Sequence, residues 1–189
     1  MSEDKGDKMD GGMFKRILQS RAILCSEVVT DKLARRVTST VLMMQEDDDK
    51  RPITVYINSP GGSADSGFAI YDILRFVKPP VRTIVTGLCA SAAVMIYLAA
   101  PRDRRFSTPN GRFLLHQPST MVMGSASDIA ITAEEIVKLR ERYNAIVAAE
   151  TGKTLAQVTQ DADRDFWLSP GQAKEYGLVG KIAKSYTAD

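Results

Sequence analysis

The sequence predicts an α/β fold built on a mostly parallel sheet. Two observations lead to this prediction: short β-branched or apolar runs alternate with segments of helical apolar spacing, and glycine or proline turns separate them. Strands that alternate with helices are typical of βαβ units. A chain of 189 residues fits one domain with a sizeable core, so we expect a single domain over residues 14–189.

The first half of this domain contains two helices and two strands in alternation. Thr30 or Asp31 can cap the first helix. The first strand is β-branched and ends at Asn58-Ser59-Pro60-Gly61-Gly62, and Pro79-Pro80 ends the second helix. The predicted elements are a helix over Asp31–Gln45, a strand over Ile53–Ile57, a helix over Ala64–Val77 and a strand over Val81–Val85.

In the second half, Gly87 follows the second strand and precedes an apolar, alanine-rich helix. A long helix begins at Ser127 or Asp128, ends before Gly152, and turns one apolar face inward: Ile129, Ile136, Leu139, Tyr143 and Ile146. The last helix opens with Ser169-Pro170, a cap followed by proline. The predicted elements are a helix over Ser91–Ala99, a strand over Arg112–Leu115, a helix over Asp128–Glu150 and a helix over Ser169–Tyr176.

Residues 1–13 are predicted to form a disordered or processed N-terminal tail, because almost none of them is apolar. They show neither a secretory signal nor a transit-peptide pattern. The most hydrophobic stretch, Leu88–Ala100, is shorter than the roughly 20 residues of a bilayer span. We therefore read it as a buried core helix and expect a cytoplasmic protein without a membrane partner.

Charge and cysteine usage narrow the function classes. A net charge of +2 with both signs interspersed does not indicate a nucleic-acid surface. Cys25 and Cys89 have no metal-ligand spacing and form no CxxC pair, so both are read as small buried hydrophobes in a reducing compartment. We expect no cofactor and no metal site.

The chemistry-bearing residues begin with His116, the only histidine of the chain, at the end of a predicted strand. Ser91 lies upstream among small residues where a strand turns into a helix. Acidic residues lie downstream at Asp161, Asp163 and Asp165. Serine, histidine and aspartate in this order are the parts of a hydrolase triad, although spacing alone leaves the choice of aspartate open. The alternative reading of His116 is a buried or turn histidine without catalytic work.

Loops at the carboxyl ends of parallel strands gather at one edge of a sheet, so the Gly61-Gly62 turn, Ser91 and His116 can converge. Glycines at this turn can adopt positive φ and expose backbone N–H groups. The amides of Gly62 and Ala92 would then form an oxyanion hole beside the Ser91 hydroxyl.

From about Ile17 to Ile182 the chain resembles ClpP, the proteolytic-subunit family of the caseinolytic Clp protease (peptidase family S14). Order and spacing match too, with 25 positions from Ser91 to His116 and 49 from His116 to Asp165. The resemblance thus selects Asp165 as the triad acid. The matching strings begin at Tyr56 (YINSPGG), Gly67 (GFAIYD), Ala90 (AS), His116 (HQP), Ala126 (ASDI) and Asp163 (DRD).

The resemblance implies a crotonase-like β/α spiral with a protruding handle helix at Asp128–Glu150. It also implies a serine endopeptidase confined inside a tetradecamer of two stacked heptameric rings, with Asp163 and Arg164 at the ring–ring junction. Such a barrel cleaves peptides alone and degrades unfolded proteins together with a hexameric AAA+ Clp ATPase.

Three departures from the family pattern modify these expectations. Ala92 stands where the family usually has methionine, and no apolar axial-loop sequence precedes Phe14. The family commonly has large apolar side chains for ATPase docking at three positions where this chain has Thr54, Thr86 and Thr108. Three other docking positions keep such side chains: Tyr56, Ile84 and Phe106. Lost apolar area weakens docking by about 25 cal/mol per Å². The alternative function is therefore a weakly active or accessory subunit that works in a mixed barrel with a sister ClpP paralogue.

Two other enzyme classes fit the sequence less well. A crotonase-type acyl-CoA enzyme shares the fold and the glycine-based oxyanion logic, but does not need Ser91, His116 and Asp165 at these spacings. A membrane-anchored Ser–Lys peptidase would need an anchor segment.

Overall fold

The computed structural model describes residues 11–118 and 121–185. It has an α/β architecture, as predicted, with a short 3-10 turn at Arg102–Arg104. The strands are β1 Ala22–Cys25, β2 Ile53–Ser59, β3 Val81–Ala90, β4 Arg105–Ser107, β5 Arg112–Leu115, β6 Phe166–Leu168 and β7 Lys181–Ile182. The helices are α1 Gly11–Gln19, α2 Asp31–Asp47, α3 Ala64–Phe76, α4 Ala92–Leu98, α5 Ala126–Thr151, α6 Leu155–Asp161 and α7 Pro170–Tyr176.

The sheet is mostly parallel and is centred on β3. The strands run in the order β1-β2-β3-β4-β7, and every pair along this path is parallel. β5 pairs in parallel with the far end of β3, and β6 pairs antiparallel with β5. The strand ends that precede Ser91 and His116 are therefore neighbours in one sheet.

β3 is longer than predicted, because it continues beyond Val85 through Gly87 to Ala90. Asn58 explains the continuation: its Oδ1 accepts a hydrogen bond of 2.9 Å from the Leu88 N–H. A Cβ at position 87 would lie 2.4 Å from that same oxygen, so glycine is required for Asn58 to fit. β3 thereby pairs first with β4 and then with β5, and it delivers Ser91 to the end of β5.

The helix after β3 is the centre of the core. All seven residues of α4 are buried, which confirms a core helix within Leu88–Ala100, but Leu88, Cys89 and Ala90 belong to β3, so the first part of that prediction was wrong. A Cβ at Gly67 of α3 would lie 3.1 Å from the Ala92 Cβ, so these two helices pack closely through small residues. Cys25 and Cys89 are both buried and unpaired, as expected for small hydrophobes.

α5 leaves the body of the fold as a handle. Its Ser125 cap accepts a hydrogen bond from the Asp128 N–H, so the helix starts earlier than predicted. Ile129, predicted to face inward, is 44% exposed, and that part of the prediction was wrong. The reason is positional: the buried residues of α5 all lie from Tyr143 onwards, so its first half has no core to pack against.

Six short elements were not predicted. They are β1, β4, β6, β7, α1 and α6, with two to nine residues each. Most of the predicted tail lies outside the described residues, while residues 11–13 belong to α1, so the expected boundary at residue 14 falls inside a helix. None of the helices in the described part of the chain has the length and hydropathy needed to cross a membrane.

Candidate active site

Ser91 occupies a strained turn between β3 and α4. Its φ of 53° and ψ of −125° are unusual for a residue with a side chain, and only Arg21 shares a positive φ among the described non-glycine residues. Such strain persists only where the surroundings hold it, and it recurs where a nucleophile is presented above a sheet. The Ser91 N–H donates to the Leu114 carbonyl at 3.0 Å, which fixes the turn against β5.

Tyr143 holds Ser91 from the other side. Its hydroxyl donates to the Ser91 carbonyl at 3.4 Å. Burial raises the pKa of Tyr143 well above its usual range, so the hydroxyl keeps its proton and remains a donor. From the sequence, Tyr143 is predicted only as an apolar residue on the inward face of the long helix. Its contact with Ser91 was not predicted, because the two residues are 52 positions apart in the chain.

His116 follows β5, one residue beyond the strand that anchors Ser91. Its Nδ1 lies 3.4 Å from Asp165 Oδ1, and the side chains are 30% and 63% exposed, respectively. This separation is longer than the roughly 2.7–2.9 Å of a charge-assisted hydrogen bond. Between the described Ser91 and His116 side chains there is no hydrogen bond. Such contacts are often loose before substrate arrives and tighten in the complex.

Gln117 links the two loops that carry His116 and Asp165. Its Nε2 donates to the Asp163 carbonyl at 2.9 Å, and its Oε1 accepts from Arg140 Nη1 at 3.5 Å. Sequence reasoning gave Gln117 no role, although its place beside the only histidine was the available signal. The two hydrogen bonds make it a positioning residue for the aspartate loop.

The three acidic residues that spacing left open have different surroundings. Asp161 accepts hydrogen bonds from Tyr176 at 2.9 Å and from Gln157 at 2.7 Å, so its carboxylate is engaged elsewhere. Asp163 lies 4.0 Å from its exposed neighbour Arg164. Of the three, Asp165 is the one that contacts His116.

The Gly61-Gly62 turn presents backbone groups to the site. φ is 89° at Gly61 and 149° at Gly62, values that favour glycine. Val29 pairs with the two residues that flank Gly62, since its N–H donates to the Gly61 carbonyl and its carbonyl accepts from the Ser63 N–H, each at 2.8 Å. The Gly62 N–H therefore points away from Val29, and it has no acceptor among the described residues.

Ala92 offers the second backbone donor. It is the first residue of α4, where an N–H has no partner within the helix. The Ala92 side chain is buried against Gly67. An alanine in place of the methionine that is usual in the family keeps the backbone amide, and its smaller side chain packs differently against α3.

Ser91, His116, Gly62 and Ala92 line one cavity of about 520 Å³. Its walls include both candidate oxyanion donors and an apolar surface from α3 and α5. Cys89, two residues before Ser91, is excluded as a competing nucleophile, since it is fully buried and burial raises the pKa of its thiol. The lining residues are Pro60, Gly62, Ser63, Ala64, Asp65, Phe68, Ser91, Ala92, His116, Pro118, Thr132, Glu135, Ile136, Leu139 and Tyr143.

A second cavity of about 250 Å³ lies on the sheet. Of the six residues expected at the ATPase-docking positions, all but Thr54 line this cavity. Thr54 is not among its lining residues: it is 7% exposed and accepts a hydrogen bond of 3.1 Å from Arg82 Nη2. Arg82 itself lines the cavity, so the site is more polar than its apolar residues alone suggest. The described lining residues are Tyr56, Arg82, Ile84, Thr86, Phe106, Thr108, Ala183, Lys184 and Ser185.

A serine at a strained turn, an adjacent histidine–aspartate contact and two unengaged backbone donors are together the equipment of a serine hydrolase. Comparison with known sequences identifies which family of serine hydrolases this chain belongs to. A sequence model of the family described as Clp protease matches residues 5–186. The chain belongs to the Clp protease family.

Individual relatives agree with this assignment. The chain is 42% identical over 186 residues to ATP-dependent Clp protease proteolytic subunit 2 of Treponema denticola, covering 97% of this chain and 93% of the relative. It is 46% identical over 180 residues to proteolytic subunit 3 of Rhizobium etli, covering 95% and 90%. Among solved structures, a ClpP1 mutant from Listeria monocytogenes superposes with a TM-score of 0.84 at 39% identity, covering 90% of this chain and 95% of that one. The expected ClpP fold and the expected protease class are thereby confirmed.

Proposed function

We propose that this Clp protease cleaves peptide bonds with Ser91 as nucleophile, His116 as general base and Asp165 as the group that orients the imidazole. The observation that carries the proposal is the meeting of Ser91 and His116 in one cavity, with Asp165 3.4 Å from the far ring nitrogen. The backbone N–H groups of Gly62 and Ala92 form the oxyanion hole.

In the acylation step the Ser91 Oγ attacks the peptide carbonyl carbon while its proton passes to His116 Nε2. The carbonyl oxygen becomes an oxyanion and accepts hydrogen bonds from the Gly62 and Ala92 amides. Asp165 accepts from Nδ1–H and stabilises the imidazolium, which then protonates the departing amine. A water molecule then gives a proton to the same imidazole and attacks the acyl carbon, and the imidazolium returns the proton to Ser91 Oγ as the acyl bond breaks.

The direct test is the hydrolysis of a fluorogenic peptide by Ser91→Ala. We expect kcat to fall by on the order of 10⁴-fold or more, because the nucleophile is lost, while the particle size stays that of the parent. Ser39→Ala is the matched control, since Ser39 is an exposed serine on α2 that hydrogen-bonds only its own helix. Equal peptidase rates in Ser91→Ala and the parent contradict the assignment.

The assembly is the second part of the proposal. We infer a cytoplasmic barrel of two stacked heptameric rings in which the handle α5 packs against the opposing ring. The exposed apolar side chains of its first half support this, since Ile129, Ile131 and Val137 are each more than 40% exposed in the single chain.

Leu139→Pro tests the handle. Proline in a helix interior costs about 3 kcal/mol or more, so the variant should sediment as smaller particles than the parent. Arg164→Ala, at a side chain that is 94% exposed, should weaken ring pairing and activity together. If both variants keep the parent's large particle and full activity, the stacked-ring proposal is wrong.

The third part of the proposal concerns the partner that delivers unfolded protein. The family relatives are named ATP-dependent, and a Clp ATPase would dock on the second cavity. Its polar residues favour weak docking by a homomeric barrel, so the alternative is a barrel mixed with a sister subunit that supplies the docking face.

The homomeric and the mixed barrel are distinguished by the degradation of a tagged, folded protein that the ATPase can unfold, using this chain and its cognate ATPase alone. We expect slow degradation by the parent and faster degradation by Thr86→Leu, because Thr86 is exposed in the cavity wall. Thr54→Leu is the control that should not help, since Thr54 is buried beneath Arg82. Rapid degradation by the unmodified homomer excludes the mixed-barrel alternative.

A further inference from the structure

An unpaired carboxylate lies in the wall of the Ser91 cavity. Asp65 is in the first turn of α3, three residues after Gly62, and it is one of the residues that line the cavity. It is exposed, and among the described residues it takes part in no hydrogen bond and no ion pair. Ser63 already caps α3 through the Ser66 N–H at 3.2 Å, so the start of the helix does not depend on Asp65 as a cap.

The other charges around the cavity are engaged. Glu135, the second carboxylate in the wall, pairs with Lys138 at 2.6 Å. His116 lies against Asp165. The nearby cation of Arg142 sits 4.3 Å from the centre of the Phe68 ring without lining the cavity. No lysine or arginine of the described chain lines it, so the Asp65 carboxylate has no cationic side chain as a partner in the wall, although the N-terminus of α3 favours its charge.

Apolar side chains complete the same cavity. Phe68, Ile136 and Leu139 lie in its wall, and a volume of about 520 Å³ admits a long side chain. Lysine and arginine have an aliphatic stem that packs on apolar surface and a cationic end that seeks a carboxylate. The combination of an apolar wall with one free carboxylate matches this kind of side chain better than an aliphatic or an acidic one.

We propose that Asp65 is a specificity-determining residue that selects peptides with a lysine or arginine flanking the scissile bond. The proposal rests on the proposed function, because the cavity must hold the peptide that Ser91 cleaves. The contact is made to the substrate side chain, and the chemistry of the bond cleavage is the same for every peptide.

The test is a set of internally quenched peptides, identical except that one residue flanking the cleaved bond is lysine, glutamine or glutamate. For the parent enzyme we expect kcat/KM to be about fivefold higher for the lysine peptide than for the glutamine peptide, which corresponds to about 1 kcal/mol. The preference should shrink at high ionic strength, since the carboxylate is exposed to solvent.

Asp65→Asn should abolish the preference, so that the lysine-to-glutamine ratio of kcat/KM falls to about one. Asp65→Lys should reverse the preference towards the glutamate peptide, which an effect on folding alone cannot do. The matched control is Asp72→Asn, on the same helix but outside this cavity, and it should keep the parental ratio.

Equal lysine-to-glutamine ratios in the parent and both Asp65 variants overturn the role of Asp65 while leaving the proposed function intact, provided that Ser91→Ala is inactive. If the parent cleaves none of the peptides, or if Ser91→Ala cleaves them as well as the parent, the proposed function and the inference both fail.

Discussion

The two halves of the candidate site are built differently. Ser91, Ala92 and Gly62 belong to the core side, where α4 is entirely buried and Val29 and Leu114 hold the turns by backbone hydrogen bonds. His116 and Asp165 belong to the surface side, where Asp165 is 63% exposed and is tied back through Gln117. The core side should therefore tolerate little change without loss of stability, and the surface side should control activity without much effect on folding.

Asp165→Asn should give the largest effect, and it should fall on activity alone. An asparagine favours the wrong imidazole tautomer, so kcat should drop by about 10⁴-fold. Because the side chain is largely exposed, the free energy of unfolding should stay within about 0.5 kcal/mol of the parent. Peptidase kinetics and urea unfolding of the same preparation check both halves of the prediction.

Asp103→Asn is the control for that measurement, because Asp103 is an exposed aspartate outside the site. A variant at Asp165 that retains parental kcat would remove it from the mechanism. One that unfolds far more easily would show that the surface side is not independent of the core.

Gly61→Ala should give the next largest effect, and it should fall on stability. A Cβ there would lie 2.6 Å from the Ala90 carbonyl oxygen and 2.7 Å from the Ser91 Cβ, and φ is 89°. Positive φ and overpacking together should lower the free energy of unfolding by about 3 kcal/mol. Gly171→Ala is the matched control, because a Cβ at that position meets nothing within 4 Å. Equal urea midpoints for the two variants would contradict the rigid description of the core side.

Gln117→Ala should give the smallest effect. Loss of its hydrogen bond to the Asp163 carbonyl loosens the aspartate loop, so kcat should fall by about tenfold while KM stays unchanged. Steady-state kinetics on one peptide measures this split. A rise in KM at constant kcat would instead mean that Gln117 binds substrate, and parental kinetics would mean that the loop is held by other contacts.

The same division explains what the sequence could predict. β2, β5, α3 and α7 carry clear periodicity or caps, and their predicted bounds agree with the structure to within two residues. Chain order and spacing brought out Ser91 and His116, because the histidine is unique. Spacing could not choose among three aspartates within five residues, and that choice depends on which carboxylate the fold turns towards His116.

Other features depend on contacts that no local pattern contains. Tyr143 reaches Ser91 across the handle, and Gln117 reaches the Asp163 carbonyl across 46 positions. The exposure of Ile129 follows from where α5 leaves the core, although its sequence spacing is that of an ordinary amphipathic helix. Thr54 shares its residue type with Thr86 and Thr108, yet lies beneath Arg82 instead of in the cavity wall.

The proposed mechanism depends most on Ser91 as an activated nucleophile, and a fluorophosphonate probe tests this directly. The intact chain is treated with the probe, digested and examined by mass spectrometry, with Ser91→Ala and His116→Gln treated in parallel. We expect one adduct on Ser91 in the parent, none in Ser91→Ala and a strongly slowed reaction in His116→Gln. Labelling of another serine, or equal labelling rates in the parent and His116→Gln, would contradict the proposed mechanism.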